Sequence, residues 1–242
     1  MFLAIDIGNT RQKAAIYTAD GELVRLIDEA QLTRNCLNDL MQEFTLDSAI
    51  ISSVSDEKSA RELAGWMRER TKVIEFTHQA KLPIRIAYET PETLGLDRIA
   101  VAVAAHCHYP GDNVLVIQAG TCLVTDFVTA EGVYLGGSIS PGLQMRFEAL
   151  HHYTQRLPLV KIEPTTEFIG TTTERSILSG IMFGIKDEIN GTIERYRQQF
   201  GEVKVVLTGG NKNDLELSIK NTIFAANYFV LDGLYNILRI NA

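Results

Sequence analysis

The sequence is poor in the features that mark metal, redox, nucleic-acid and membrane proteins. Its three cysteines, Cys36, Cys107 and Cys122, are far apart and form no CxxC pair. Buried structural thiols fit that pattern better than a metal site or a thiol nucleophile. The five histidines show no HExxH or comparable spacing. His151 and His152 are adjacent, so on one helix they point in different directions, which suits a surface or interface role better than a shared metal ion. No apolar stretch approaches the roughly 18 residues of a membrane span. No apolar run of signal length follows the start either, because Asp6 interrupts it almost at once. A cytoplasmic chain is expected. Positive charge is in deficit: the formal net charge is −7, which excludes the basic footprint of a nucleic-acid binder and disfavours an anionic membrane surface. There is no GxxxxGKS or GxxxxGKT phosphate loop, no low-complexity tract, and no linker rich in Pro, Gly and Ser.

The composition that remains is an ordinary globular one, 45% hydrophobic and 22% charged, in a chain long enough for one large or two modest cores. The apolar run Leu3 to Ile7 ends at Gly8-Asn9-Thr10, a strand feeding a turn. Lys13 to Tyr17 and Glu22 to Ile27 read as strands around the turn Thr18-Ala19-Asp20-Gly21. Residues 30–44 and 56–70 have helical spacing, and Ala49 to Val54 is a buried strand. Val73 to Phe76 and Ile84 to Tyr88 are short strands. Asp97 to Cys107 is Ala-rich, as a buried helix would be. After a break at 109–113, Val114 to Gln118 opens a new strand.

From that strand onward the second half of the chain repeats the first. IDIGNT (5–10) is echoed by IQAGT (117–121), and TADGELV (18–24) by TAEGVYL (129–135), at offsets of about 112 and 111 residues. Two matches in one order, one residue out of step, read as a duplicated domain. The expected division is 1–110 and 111–242. The stretch from Ile223 to Ile240 is apolar with helical spacing and should be buried, returning towards the first half.

A glycine turn between strands lets backbone N–H groups reach phosphate oxygens with no Cβ in the way. Thr10 and Thr121 can add hydroxyl hydrogen bonds, and Asp6 can hold a magnesium ion through water. The bland alternative for each turn is a plain hairpin. Thr208-Gly209-Gly210 ends the strand Val203 to Leu207, which suits a flat ligand such as adenine or a bare turn. Gly136-Gly137 and Ser140-Pro141-Gly142 read as a further turn region. Asp97, in TLGLDR (93–98), begins a helix. It is either a carboxylate stabilised by the helix dipole or a general base for a substrate hydroxyl.

DIGNT (6–10), Tyr88, GLDR (95–98), AGT (119–121) with Asp126, GGSISPG (136–142), LP (157–158), IGTTTERSILSG (169–180) and TGG (208–210) occur in that order. Together they resemble the type III pantothenate kinases from Met1 to the C-terminal helix. The resemblance implies an α/β fold of two duplicated actin-like (ribonuclease H-like) domains with a nucleotide cleft between them, and a homodimer whose interface helps form the substrate pocket. It implies transfer of the ATP γ-phosphate to the primary hydroxyl of pantothenate. It makes Asp6, Ile7, Gly8, Asn9, Thr10, Arg11, Gln12 and Lys13 the first phosphate loop and Thr121 the second ATP contact. Asp97 becomes the general base, with Tyr88, Gly95, Leu96, Arg98 and Thr173 as pantothenate contacts.

Two positions depart from the family pattern. Gln118 stands where the family has an Asp that binds an activating potassium or ammonium ion; the amide supplies no charge, which leaves the need for that cation open. Thr171-Thr172 replaces Lys-Asn. Two other functions remain open beside the kinase: a non-catalytic accessory regulator of the same family, and another enzyme of the fold, such as a sugar kinase or a polyphosphatase.

Overall fold

The computed structural model describes residues 1–8, 10–53, 57–211, 215, 222–224 and 228–242, with the side chains of 57–59 and 222–224 left aside. Val54 and Asp56, read as ends of a strand and a helix, lie outside the described residues. The chain divides into two compact units. One comprises Met1–Gly111, Val128–Leu135 and Tyr228–Ala242; the other comprises Asp112–Phe127 and Gly136–Asn227.

The first unit is built on a mixed five-stranded sheet: β1 (Phe2–Ile7), β2 (Gln12–Tyr17), β3 (Leu23–Glu29), β4 (Ser48–Ser53) and β5 (Lys72–Glu75), in the order β3-β2-β1-β4-β5. The first three strands form an antiparallel meander, and β4 and β5 add in parallel. Strand β1 is apolar except at Asp6, and β4 is buried over nearly its whole length, because both faces of the sheet are covered. One face packs Leu3, Ile5, Ile7 and Ile51 against Leu37 and Leu40 of α1 (Arg34–Glu43) and Leu63 and Met67 of α2 (Glu57–Arg68). Thr33 caps α1 by accepting a hydrogen bond from the Cys36 N–H at 3.2 Å.

Helix α3 (Leu96–His108) is buried continuously from Arg98 to Ala105, as its alanines suggest. The last helix, α6 (Phe229–Asn241), packs on α3 and on β1. At their crossing a Cβ on Gly233 would overlap the Ala100 carbonyl, so the small residues set how closely the two backbones approach. The Tyr17 hydroxyl donates to Asp232 at 2.7 Å, the Tyr235 hydroxyl donates to the Ala19 carbonyl at 3.0 Å, and the two rings stack 4.7 Å apart. The C-terminus thus returns to the first unit, in keeping with its apolar spacing. Its helix begins only at Phe229, however, and Ile223 lies in a strand.

The second sheet carries β7 (Val114–Ala119), β8 (Cys122–Val128), β9 (Val133–Pro141), β10 (Lys204–Thr208) and β11 (Thr222–Phe224), in the order β11-β10-β7-β8-β9. Read from the meander outward, that is the strand order of the first sheet. The short β6 (Arg85–Ile86) pairs in parallel with Val133 and Tyr134 at the start of β9. Helix α4 (Leu143–His152) follows β9. The 28-residue α5 (Thr173–Phe200) lays Ile177, Ile181, Ile185, Ile189 and Ile193 over the sheet, every fourth residue on one face. Thr172 caps it by accepting from the Arg175 N–H at 3.2 Å, and Gly201, at φ 78°, ends it.

The internal repeat extends to individual hydrogen bonds. Thr18 N–H donates to the Glu22 carbonyl at 2.9 Å and Gly21 N–H to Thr18 at 3.2 Å; Thr129, Val133 and Gly132 repeat the pattern at 2.9 Å and 2.9 Å. Gly21 and Gly132 both have positive φ, 88° and 73°. The one-residue slippage falls in the first turn: Gly8 N–H reaches the Arg11 carbonyl, whereas Gly120 N–H reaches Cys122. The first turn is one residue longer.

Two sequence readings need correction. Residues 136–141, read as turns from their glycines, continue strand β9. Gly137 is required because a Cβ there would collide with the Thr125 carbonyl of the neighbouring strand. The cysteines are not buried: Cys36 and Cys122 are half-buried and Cys107 is exposed.

Candidate active site

Asp6 is the last residue but one of β1, flanked in register by Lys13 on β2 and Ser52 on β4. Residues paired in register share a face of the sheet, and the polar atoms on this one are unusual. Asp6 Oδ1 and Ser52 Oγ are buried without a hydrogen-bond partner. Burial is the largest cause that raises the Asp6 pKa to about 7; repulsion from Asp97 raises it further, and Lys13 pulls it down. An orphaned pair of oxygens at the end of a strand, beside a glycine turn, suits a hydrated cation or ordered water. Ser52 is not recognisable in the sequence, where it looks like any small residue in a strand; its register partnership with Asp6 is what identifies it.

The rest of the first turn divides by use. Ile7 is in the core. The Gln12 Oε1 accepts from the Leu32 N–H at 2.7 Å, and the Arg11 guanidinium binds the Asp28 carboxylate and carbonyl. Lys13 Nζ lies 3.9 Å from Asp28. Thr10 is exposed. A Cβ on Gly8 would meet the Arg11 carbonyl at 2.8 Å, so the turn needs glycine there. Asn9 lies outside the described residues.

The GLDR segment forms the N-terminus of α3. Gly95 is its cap residue, and its carbonyl accepts from the Arg98 N–H at 3.1 Å. The Asp97 carboxylate folds back over the glycine: a Cβ at Gly95 would sit 2.5 Å from Oδ1. Its charge is felt at Asp6. Arg98 is buried, with its guanidinium 5.9 Å from the centre of the Tyr88 ring, and Tyr88 in turn lies 6.2 Å from Tyr134. Leu96 is half-buried and lines a cavity of about 210 Å³ with Ser53, Arg61 and His78. His78 Nε2 hydrogen-bonds the Leu94 carbonyl at 2.7 Å, steadying the extended approach to Gly95. The first unit thus brings together Asp6, Lys13, Ser52, Tyr88 and the Gly95–Arg98 segment.

The second unit holds the other predicted residues. Thr121 is exposed in its glycine turn, and its carbonyl accepts from the Gly142 N–H at 3.2 Å. Gly209, at φ 101°, follows β10 against the backbone of Ala119, where a side chain would not fit. Asp126 is wholly buried, and its Oδ2 accepts from Gln118 Nε2 at 3.1 Å. Thr173, with Thr171, Thr172 and Ser176, lines an open groove of about 660 Å³ that Leu150, Leu157 and Ile181 floor. Among the described residues no group of three or more His, Cys, Asp or Glu side chains could enclose a metal. None of the described helices is long and apolar enough to cross a membrane.

Two sheets of one strand order, each opening on a glycine turn, define the duplicated α/β fold of the actin-like ATPases. Solved structures agree on the fold: a Campylobacter jejuni protein assigned to the Baf family of transcriptional activators matches with a TM-score of 0.62 at 19% identity, over 98% of this chain and 97% of that one. The activator of 2-hydroxyisocaproyl-CoA dehydratase from Clostridium difficile, solved with bound ADPNP, matches with a TM-score of 0.53 at 13% identity over 99% and 95%. The sequence is more specific. The family model for type III pantothenate kinase matches residues 2–195. The type III pantothenate kinase of Christiangramia forsetii is 42% identical over 100% of this chain and 99% of its own. The chain belongs to the type III pantothenate kinase family.

Proposed function

We propose that this protein transfers the γ-phosphate of ATP to the primary hydroxyl of pantothenate, giving 4′-phosphopantothenate for coenzyme A synthesis. The observation that carries the reading is the placement in one unit of Asp6, with its orphaned Oδ1 beside the first glycine turn, and of Asp97 at the N-terminus of α3. It sets a carboxylate for the phosphate side and one for the acceptor side in one unit. Asp97, at the start of α3, orients the hydroxyl and takes its proton as the oxygen–phosphorus bond forms. Arg98, Tyr88, Gly95 and Leu96 hold pantothenate there, and Thr173 adds a contact. The glycine turns at Gly8 and Gly120, with Thr10, Lys13 and Thr121, bind phosphate oxygens. The orphaned oxygens of Asp6 and Ser52 fit the water shell of a magnesium ion. Such an ion, when bound, neutralises charge on the phosphates.

The monovalent cation that the family resemblance implies does not fit this donor set, because Gln118 already gives its N–H to Asp126. A homodimer is part of the reading. Tyr153, Phe168 and Ile169 are 84%, 72% and 75% exposed, an apolar surface that a partner copy would cover.

The test is direct: incubate the purified chain with ATP, magnesium and pantothenate, and look for phosphopantothenate by mass spectrometry. ADP release without that product would refute the acceptor, and no turnover at all would refute the kinase.

A further inference from the structure

Asp126 presents a problem that the fold has to solve. It sits in the interior of β8, wholly buried, where an ionised carboxylate without compensation is strongly disfavoured. A cation beside it is one solution; a hydrogen bond from a neutral donor is another. Gln118 supplies such a donor. Gln118, at the end of β7 and two residues before the Gly120 turn, places Nε2 3.1 Å from Asp126 Oδ2.

An amide that donates its N–H to this carboxylate cannot at the same time turn its oxygen there to coordinate an ion. Rotating the amide would cancel the hydrogen bond and bring its oxygen up against the carboxylate oxygen. Gln118 is in register with Thr208 of β10, itself buried. We infer that the Gln118 side-chain amide stands in for a monovalent cation at Asp126, so that phosphoryl transfer by this chain is independent of potassium and ammonium. A hydrogen bond to the Asp126 carboxylate is thereby supplied by a covalently attached group that is present at every salt composition.

The inference rests on the proposed kinase activity for one of its two readouts. The full-length chain is assayed with magnesium ATP and pantothenate at constant ionic strength in potassium, ammonium, sodium or tetramethylammonium chloride. Turnover is expected to agree across the four salts within about threefold, less than the loss of one transition-state contact causes. Gln118→Glu and Gln118→Asp each place a second carboxylate beside Asp126. Their turnover should fall in tetramethylammonium by about tenfold or more and recover in potassium, as expected for a bound ion that offsets paired charges. A native chain that needs potassium, or variants indifferent to it, would overturn the inference.

The second readout needs no turnover: melting temperature with magnesium and a non-hydrolysable ATP analogue. Potassium should leave the native chain unchanged and raise both carboxylate variants, since a ligand that binds the folded state stabilises it. A potassium-dependent rise in the native chain overturns the assignment of Gln118. If no phosphopantothenate forms in any salt, the functional reading fails, while the melting comparison still decides the role of the amide.

Discussion

Replacing Asp6 by Asn should make the protein more stable above neutrality and inactive throughout. The folded pKa of Asp6 is raised from 3.8 to about 7, so the native state holds a proton there that the unfolded chain has given up. Below the unfolded value both states are protonated and Asp6 costs nothing through ionisation. As pH rises through the window from about 4 to about 7 the native state loses stability relative to that limit, and above it the loss is complete. A shift of about three units corresponds to at most about 4 kcal/mol, since each unit is worth about 1.4 kcal/mol. Asn carries no charge and escapes this loss, but its amide is buried among groups that do not satisfy it, at a cost of about 1–3 kcal/mol. The net gain expected at pH 8 is therefore about 2 kcal/mol, or roughly 4–8 °C for a chain of this size. At pH 4.5 Asn should be neutral or worse. The assay is melting by calorimetry from pH 4.5 to 8.5, without nucleotide or magnesium. A difference between Asp6→Asn and native that does not grow with pH would refute the burial argument. Asp97→Asn supplies a control: removing its charge lowers the Asp6 pKa, so the stability that the native chain loses with rising pH should shrink.

Asp97→Asn itself should reduce turnover by about 10²–10⁴-fold, the range for losing a general base, with ATP affinity little changed, and with melting temperature little changed at pH 4.5, where Asp6 is protonated in the fold, because Asn suits a helix start about as well as Asp. Activity within a few-fold of native would reduce Asp97 to a helix-terminus carboxylate. Ser52→Ala removes a buried hydroxyl that has no partner, so stability should hold or rise slightly while more magnesium is needed for half-maximal rate; an unchanged magnesium curve would make Ser52 a bystander. Gly233→Ala should destabilise by about 1–3 kcal/mol through overpacking against the Ala100 carbonyl, measured by urea unfolding. Light scattering should give twice the chain mass of 26.9 kDa, and Ile169→Asp should shift it towards the single-chain value.

The elements legible in the sequence are those whose pattern is set locally. The strands around Gly8 and Gly120 announce themselves by apolar runs ending in glycine, and the repeated TADGELV and TAEGVYL segments fold into turns with matching hydrogen bonds. What is not legible depends on partners distant in sequence. Gly137 looks like a turn residue until Thr125 is found pressed against it. The strand read over Ile84 to Tyr88 shrinks to Arg85–Ile86, because only those two residues find ladder partners, at Val133 and Tyr134. Ser52 carries no local signal, and Gln12, read as part of a phosphate loop, uses its side chain to hold Leu32. Gln118 stands out as a departure from the family pattern, but its consequence requires knowing that its donor faces Asp126.

The placement of the last helix has a consequence for how the protein is made. Strands β1 to β5 are translated before the second unit, yet the surface formed by α3 and β1 stays uncovered until Phe229–Asn241 has been synthesised. The first unit cannot reach its native packing in the order in which its residues appear, because the whole second unit is translated in between. Removing Phe229–Asn241 would uncover Ala100 on α3 and the face of β1 that this helix covers, an apolar surface suited to chaperones and proteases. The core of the first unit is thus completed only by a segment that follows the whole second unit in the chain.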